Sequence, residues 1–387
     1  MTQRNNSTAS LLAARRFNRR LMLKAGLAGT VAAVGPWYVR DAFSSSGELN
    51  WFTWEDYAPK ALMEKFTKDT GIKINVTLFS SNEEQLNKLR AARGEGFDMV
   101  APTVTWVGAH VEAGNLQPLD EAKIPNIKNL IPAFYQKADQ LGARIGGKLY
   151  SLPYNWGTEA LAFNSKDVKL AYGQATFGDL WDPKYKGKMT CRPRSIMLGT
   201  GLWLEGKGEM PAGSMWKSYT DQPTMEKYYG QALDYAIKNK AQIAKFWQGT
   251  ADHQAAFLQE GCVIGQTWDG PINKMRDEGQ PLSYLAPKEG ALTWLDTLSL
   301  SKGAKNIAQA YAYMDWAMQA PIGGLMAVET GYNSPVSGAE KYTTAAFKKN
   351  FEAAYPGDAL EKLWFQGEEK SWFIAKRQEF ATKLQAA

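Results

Sequence analysis

The chain has 387 residues, with 45 Lys and Arg against 39 Asp and Glu, a formal charge of +6 at neutral pH. Apolar residues make up 44% and charged ones 22%, which excludes disordered and fibrous classes and leaves enough chain for about two to three globular domains. The excess charge would suit nucleic acid or an anionic surface only if it were spread over the fold, and it is not. Seven bases, among them Arg15, Arg16, Arg19, Arg20 and Lys24, stand before residue 47 against the single acid Asp41, so residues 47–387 carry 38 of each sign.

That basic stretch runs into the apolar segment Ala25 to Val39 and then Ser44-Ser45-Ser46, the three parts of a secretory signal. The apolar segment contains Gly26, Gly29, Gly35 and Pro36 and falls short of the ~20 residues a spanning helix needs. Asn18-Arg19-Arg20-Leu21-Met22-Leu23-Lys24 resembles the bacterial twin-arginine export motif; an ordinary Arg-rich secretory signal is the alternative. Residues 1–46 are therefore expected to be a cleaved export signal, with the mature protein starting around residues 43–48 outside the cytoplasm.

From Gly47 the pattern alternates between strand and helix. Leu49 to Trp54 reads as a strand, Lys60 to Thr70 as a helix stopped by Gly71, and Ile72 to Leu78 as an alternating strand. Ser81 to Arg93 reads as a helix with Glu83 and Glu84 in its first turn and Arg90 and Arg93 in its last. Phe97 to Val100, Lys188 to Cys191 and Cys262 to Gly265 read as further strands. Met225 to Lys238 reads as a helix, as does Asn306 to Ala320 before Pro321. This order predicts α/β units with a largely parallel sheet.

Catalytic signatures are missing. Ser214-Met215-Trp216-Lys217 and Ser299-Leu300-Ser301-Lys302 fit S-x-x-K without its partner motifs, and Gly199-Thr200-Gly201 lacks the third Gly of a dinucleotide loop. His110 and His253 have no Cys or Glu at ligand spacing, and Cys191 and Cys262 read as two buried thiols, so neither metal nor cofactor is expected. The aromatic content is the positive signal: 14 Trp, 17 Tyr and 16 Phe. Trp54-Glu55-Asp56-Tyr57, Pro153-Tyr154-Asn155-Trp156-Gly157, Trp268-Asp269-Gly270 and Trp294-Leu295-Asp296 sit near strand ends, where open α/β sheets bind ligands. A Trp face beside a carboxylate suits an organic cation. Each Trp also suits plain packing, and Asp269 suits capping of the helix that opens at Pro271.

These residues carry a family resemblance. Trp54-Glu55-Asp56-Tyr57, Phe66 to Lys73, Phe97 to Thr103, Tyr150 to Gly157, Asp179 to Lys188, Trp294 to Leu298 and Glu329 to Pro335 stand in an order and spacing that resembles the spermidine/putrescine-type periplasmic solute-binding proteins of ABC importers. The resemblance implies a two-lobed periplasmic binding protein fold of type II, each lobe a mixed, mainly parallel sheet flanked by helices, with the ligand cleft between them. Lobe 1 would comprise 47–157 and 270–328, and lobe 2 158–269 and 329–387. It further implies a periplasmic monomer without enzymatic activity that delivers a small ligand to a membrane permease. The aromatic box would be Trp54, Tyr57, Trp268, Trp294 and Tyr332, the amine-binding carboxylate Asp296, with Asp269 beside it and Thr103 and Thr105 on the first-lobe loop. One segment departs from the family: Cys191-Arg192-Pro193-Arg194-Ser195-Ile196-Met197 puts Arg194 and Met197 where acids are expected. An amine at Asp296 and a carboxylate at Arg194 would describe a zwitterion such as 4-aminobutyrate. The alternative is a polyamine site in which Arg192 and Arg194 face solvent and other acids, such as Glu55 or Asp269, replace the missing pair. A secreted enzyme on the same scaffold and an adhesion protein are the remaining alternatives.

Overall fold

The computed structural model describes residues 47–387, so the export signal expected over residues 1–46 lies outside the described residues. Thirteen strands follow in chain order: β1 Glu48–Trp54, β2 Lys73–Phe79, β3 Met99–Val100, β4 Leu116–Gln117, β5 Arg144–Ile145, β6 Lys148–Leu149 and β7 Leu152–Asn164. Then come β8 Met189–Cys191, β9 Ile243–Phe246, β10 Ile264–Trp268, β11 Leu282–Leu285, β12 Leu292–Ser301 and β13 Trp364–Phe365. Except for the β5–β6 pair they form one mixed sheet with the path β2-β1-β3-β12-β7-β10-β8-β9. The outer strands pair in parallel, β1 with β2 and β3, and β8 with β9 and β10. The two long strands β7 and β12 run antiparallel to each other.

β7 and β12 join the lobes. β12 pairs with β3 and β4 through its C-terminal half and with β13 through its N-terminal end, while β7 pairs with β10 from Glu159 to Phe163. Both are buried almost end to end, as expected for strands covered on both faces. Two apolar clusters flank them. One draws on residues from Leu49 to Ala162 and from Ile272 to Phe365; the other runs from Leu161 to Ile264 and takes in Phe373, Phe380 and Leu384. Tyr332, Tyr355 and Phe365 thus pack with the first cluster, and we propose that the last crossing lies between Phe365 and Phe373 instead of at residue 329.

Local chemistry accounts for the element ends. Gly71, with φ of 75°, closes the helix Lys60–Thr70, and Ser81 caps the helix Asn82–Ala91 by accepting from the Glu84 amide. The helix expected to reach Ala320 stops at Ala317. Pro321 does not end it but sits in the first turn of the next helix, Ala320–Thr330, where a missing N–H costs nothing. Cys191 and Cys262 are both buried free thiols. Among the described residues no helix is long and apolar enough to cross a membrane.

Candidate ligand cleft

A cavity with room for the centres of several water-sized molecules, about 70 Å³, lies where the ends of β1, β3 and β10 meet the middle of β12. Trp54 enters it from the end of β1 and Tyr57 from the turn that follows, Thr103 from the loop after β3, and Trp268 from the end of β10. Trp294 and Asp296, two apart on β12, share one face of that strand, and a register shift between Asp296 and Thr297 lies directly beside them.

The aromatic side chains form one chain of contacts. Trp268 meets Trp54 edge-on at 6.1 Å, Trp54 meets Tyr57 at 6.4 Å, Tyr57 meets Tyr332 at 5.9 Å, and Tyr332 meets Trp294 at 5.0 Å. Asp296 stands within this wall and is 3% exposed. Tyr57 donates its hydroxyl to Oδ2, while Oδ1 and the indole N–H groups of Trp54 and Trp294 have no hydrogen-bond partner among the described residues. Burial pushes the Asp296 carboxyl up to about 7, against the pull of the neighbouring Thr103 and Tyr57 side chains and of Arg192. A desolvated carboxyl with an open oxygen and aromatic faces around it is a receptor for an ammonium group.

Gly157 shows how tightly the wall is supported from behind. A Cβ at that position would lie 2.3 Å from the Trp294 ring and 2.6 Å from Asp269. Gly157→Ala should push the indole into the cleft, lowering stability by about 1–3 kcal/mol and ligand affinity by about tenfold. Urea unfolding and titration calorimetry measure the two losses, and unchanged affinity would show that Trp294 does not shape the site.

Two expected residues stand elsewhere. Asp269 is fully buried behind the wall, and its carboxylate is fully engaged: Oδ1 accepts from the Thr158 and Gly270 amides, Oδ2 from Tyr355 and Asn333. It ties β7, the helix Asp269–Asp277 and the C-terminal segment together. Thr105 is also buried off the cavity, and its carbonyl accepts from the Glu369 amide. Thr103 does reach the cleft, clamped by Asn82, whose side chain both donates to its hydroxyl and accepts from its amide.

The two arginines correct the sequence reading most. Neither faces solvent. Arg194 is 9% exposed, pairs with Glu83 at 2.5 Å and Glu369 at 3.6 Å, and lies over the Trp106 ring at 5.3 Å. Arg377 donates to Glu369 Oε2, the same oxygen that Arg194 approaches. Arg192 packs against Trp268 at 4.9 Å and Trp247 at 5.4 Å, two indoles that meet each other edge-on at 4.8 Å, and has no ion pair among the described residues. Glu159, which the sequence reading passed over, lines the same cavity and accepts from Ser195 and Gln266. Its signal is that it is the single charged residue of β7.

Polar contacts that cross the cleft include Glu83 to Arg194, Asp56 to Thr250 at 2.5 Å, and the Ser80 carbonyl to Arg192 at 3.4 Å. The two walls thus touch around the cavity. His110 and His253 are both fully buried, with their pKa values pushed down to about 3 by burial, and no metal-binding cluster occurs among the described residues.

Residues 61–356 match the bacterial extracellular solute-binding protein family. The spermidine/putrescine-binding periplasmic protein of Salmonella typhimurium is 29% identical over 317 residues, 81% of this chain and 84% of that protein. The spermidine/putrescine substrate-binding protein PotD from Streptococcus pneumoniae superposes with a TM-score of 0.68 at 24% identity, over 88% of this chain and 98% of that one. The Atu4243 GABA receptor superposes with a TM-score of 0.63 at 20% identity, over 88% and 97%. With the fold and the cleft, the match to the family model shows that the chain belongs to the bacterial extracellular solute-binding proteins.

Proposed function

We propose that the protein captures a small organic amine of the putrescine type in the periplasm, as a monomer, and hands it to a membrane permease, having left the cytoplasm by the twin-arginine route. The surplus of acid around the cavity carries this reading. Glu55, Asp56, Glu159, Asp296 and Glu369 line it with three guanidinium groups, and two of those, Arg194 and Arg377, are already engaged by carboxylates. The nearest opening for a ligand charge is therefore cationic, at Asp296. The polyamine ligands named for the Salmonella relative agree with it.

The zwitterion reading needs an unengaged guanidinium opposite Asp296, and Arg194 does not supply one. Arg192 keeps a zwitterion as the second reading, because it has no ion pair among the described residues. Titration calorimetry with putrescine and 4-aminobutyrate separates the two. Putrescine should bind more tightly; preference for 4-aminobutyrate, lost in Arg192→Met, would favour the second reading instead.

The raised carboxyl makes amine capture pH-dependent. An ammonium binds the ionised form of Asp296, and the empty site holds a proton below about pH 7. Affinity should therefore fall by about tenfold per pH unit as pH drops below about 7, and level off above it. Titrations between about pH 5 and pH 8 test this, together with proton release measured in two buffers of different ionisation enthalpy. A flat profile without proton release would remove Asp296 as the ammonium's partner.

A further inference from the structure

We infer that Arg194 is a built-in cation that closes one end of the cleft and sets ligand length, so that the site takes a short amine and turns away triamines. This rests on the amine reading above and adds a specificity-determining residue to it. What surrounds Arg194 is what an amine site would offer an ammonium: carboxylates at 2.5 Å and 3.6 Å, from Glu83 and Glu369, and the face of Trp106 at 5.3 Å. The protein fills that place with its own guanidinium. Arg377 shares the same oxygen of Glu369, Oε2, with Arg194, so Glu83 and Glu369 are matched by Arg194 and Arg377 without a ligand.

The neighbouring Arg192 strengthens the barrier. It rests against two adjoining indoles with no carboxylate at ion-pair distance among the described residues, Glu159 acting on it only from farther off, so an ammonium extended toward it meets a like charge in a desolvated cleft. The opposite end differs. Asp296 keeps an open oxygen, and among the described residues Asp56 accepts from the neutral hydroxyls of Thr250 and Tyr332. The cleft thus has places for one or two ligand charges near Asp296 and Asp56, and none near Arg194.

Glu83 lies on the first-lobe helix Asn82–Ala91 and Arg194 beyond β8, so the pair also spans the cleft. Loss of that tie alone would weaken every amine by a similar factor, whereas loss of the cation should change the ratio between long and short ones. Calorimetry with putrescine and spermidine on the mature protein reads this ratio. The unmodified protein should bind putrescine at least about tenfold more tightly than spermidine. Arg194→Met should shift the ratio at least about tenfold toward spermidine, because Glu83 and Glu369 then accept a ligand ammonium. Glu83→Gln, which keeps the cation, should leave the ratio unchanged.

Equal or tighter spermidine binding by the unmodified protein overturns the inference and leaves the amine reading standing. So does an unchanged ratio in an Arg194→Met protein that still binds putrescine, or a shift toward spermidine in Glu83→Gln. If Arg194→Met does not fold, the unmodified protein and Glu83→Gln decide the matter. Binding of neither amine by the unmodified protein overturns the amine reading, and the length rule falls with it.

Discussion

Asp296→Asn should abolish most amine binding while leaving the fold intact. The substitution keeps the shape and removes the charge at a position 3% exposed, where water cannot compensate the ligand's ammonium. Truncating one partner of a buried charged contact costs roughly 2–5 kcal/mol, a loss of about 30-fold to several thousand-fold in affinity. Stability should hold or rise, because burial already disfavours the ionised carboxyl, and the amide oxygen can still accept the Tyr57 hydroxyl. Asp269→Asn is the control. That carboxyl is as deeply buried and is likewise pushed up to about 7, yet it accepts four hydrogen bonds and does not line the cavity. Its loss should appear mainly in urea unfolding, with a much smaller change in calorimetric affinity. An Asp296→Asn protein that binds putrescine within about threefold of the unmodified one would sink the assignment of Asp296 as the ammonium's partner.

The contrast between these two aspartates also shows how far the sequence could be read. Both follow a Trp near a strand end, and local pattern treats them alike. What separates them is the set of partners that tertiary structure brings: Tyr355 and Asn333 close over Asp269, while an oxygen of Asp296 stays open. The strands and helices were legible because periodicity and caps are local, as in Lys60–Thr70 with Gly71 behind it. The aromatic box was legible because strand ends and the family resemblance pointed to the same residues, and Trp54, Tyr57, Trp268, Trp294 and Tyr332 do meet at one cavity. Arg194 was singled out for the right reason, a base where acids were expected, and given the wrong partner. Its partners Glu83 and Glu369 come from a first-lobe helix and the C-terminal segment, far apart in sequence. No spacing rule announces such a pairing. Thr105 failed for a simpler reason: two residues beyond Thr103, the loop has turned into a short helical stretch, Val104–Trp106, that buries it.

Arg377 is where the largest loss of stability should fall. It is 4% exposed on the helix Ser371–Ala386, donates to Glu369, and rests over Phe373 at 5.3 Å. Arg377→Met keeps much of the side chain's packing and leaves Glu369, 3% exposed, with Arg194 as its remaining cation at 3.6 Å. Breaking a buried pair from one side costs about 3–5 kcal/mol, and the cost is carried by the charge left behind. That charge can be removed by a proton. Burial already pushes the Glu369 carboxyl above the usual carboxylate range, against the pull of Arg194, and without Arg377 it moves further up. The unpartnered acid then binds a proton more readily in the folded state than in the unfolded one, so the variant should lose more stability relative to the unmodified protein as pH rises, and less as it falls. Arg377→Met with Glu369→Gln should recover most of the loss at every pH, because no charge is stranded. Urea unfolding of the four proteins at two pH values completes the cycle. A loss below about 1 kcal/mol, or one equal at both pH values, would show that Arg377 contributes packing and not charge. The expected result would tie the ion network to the cleft directly, since the same Glu369 that anchors the C-terminal helix also holds Arg194 in the ligand's path.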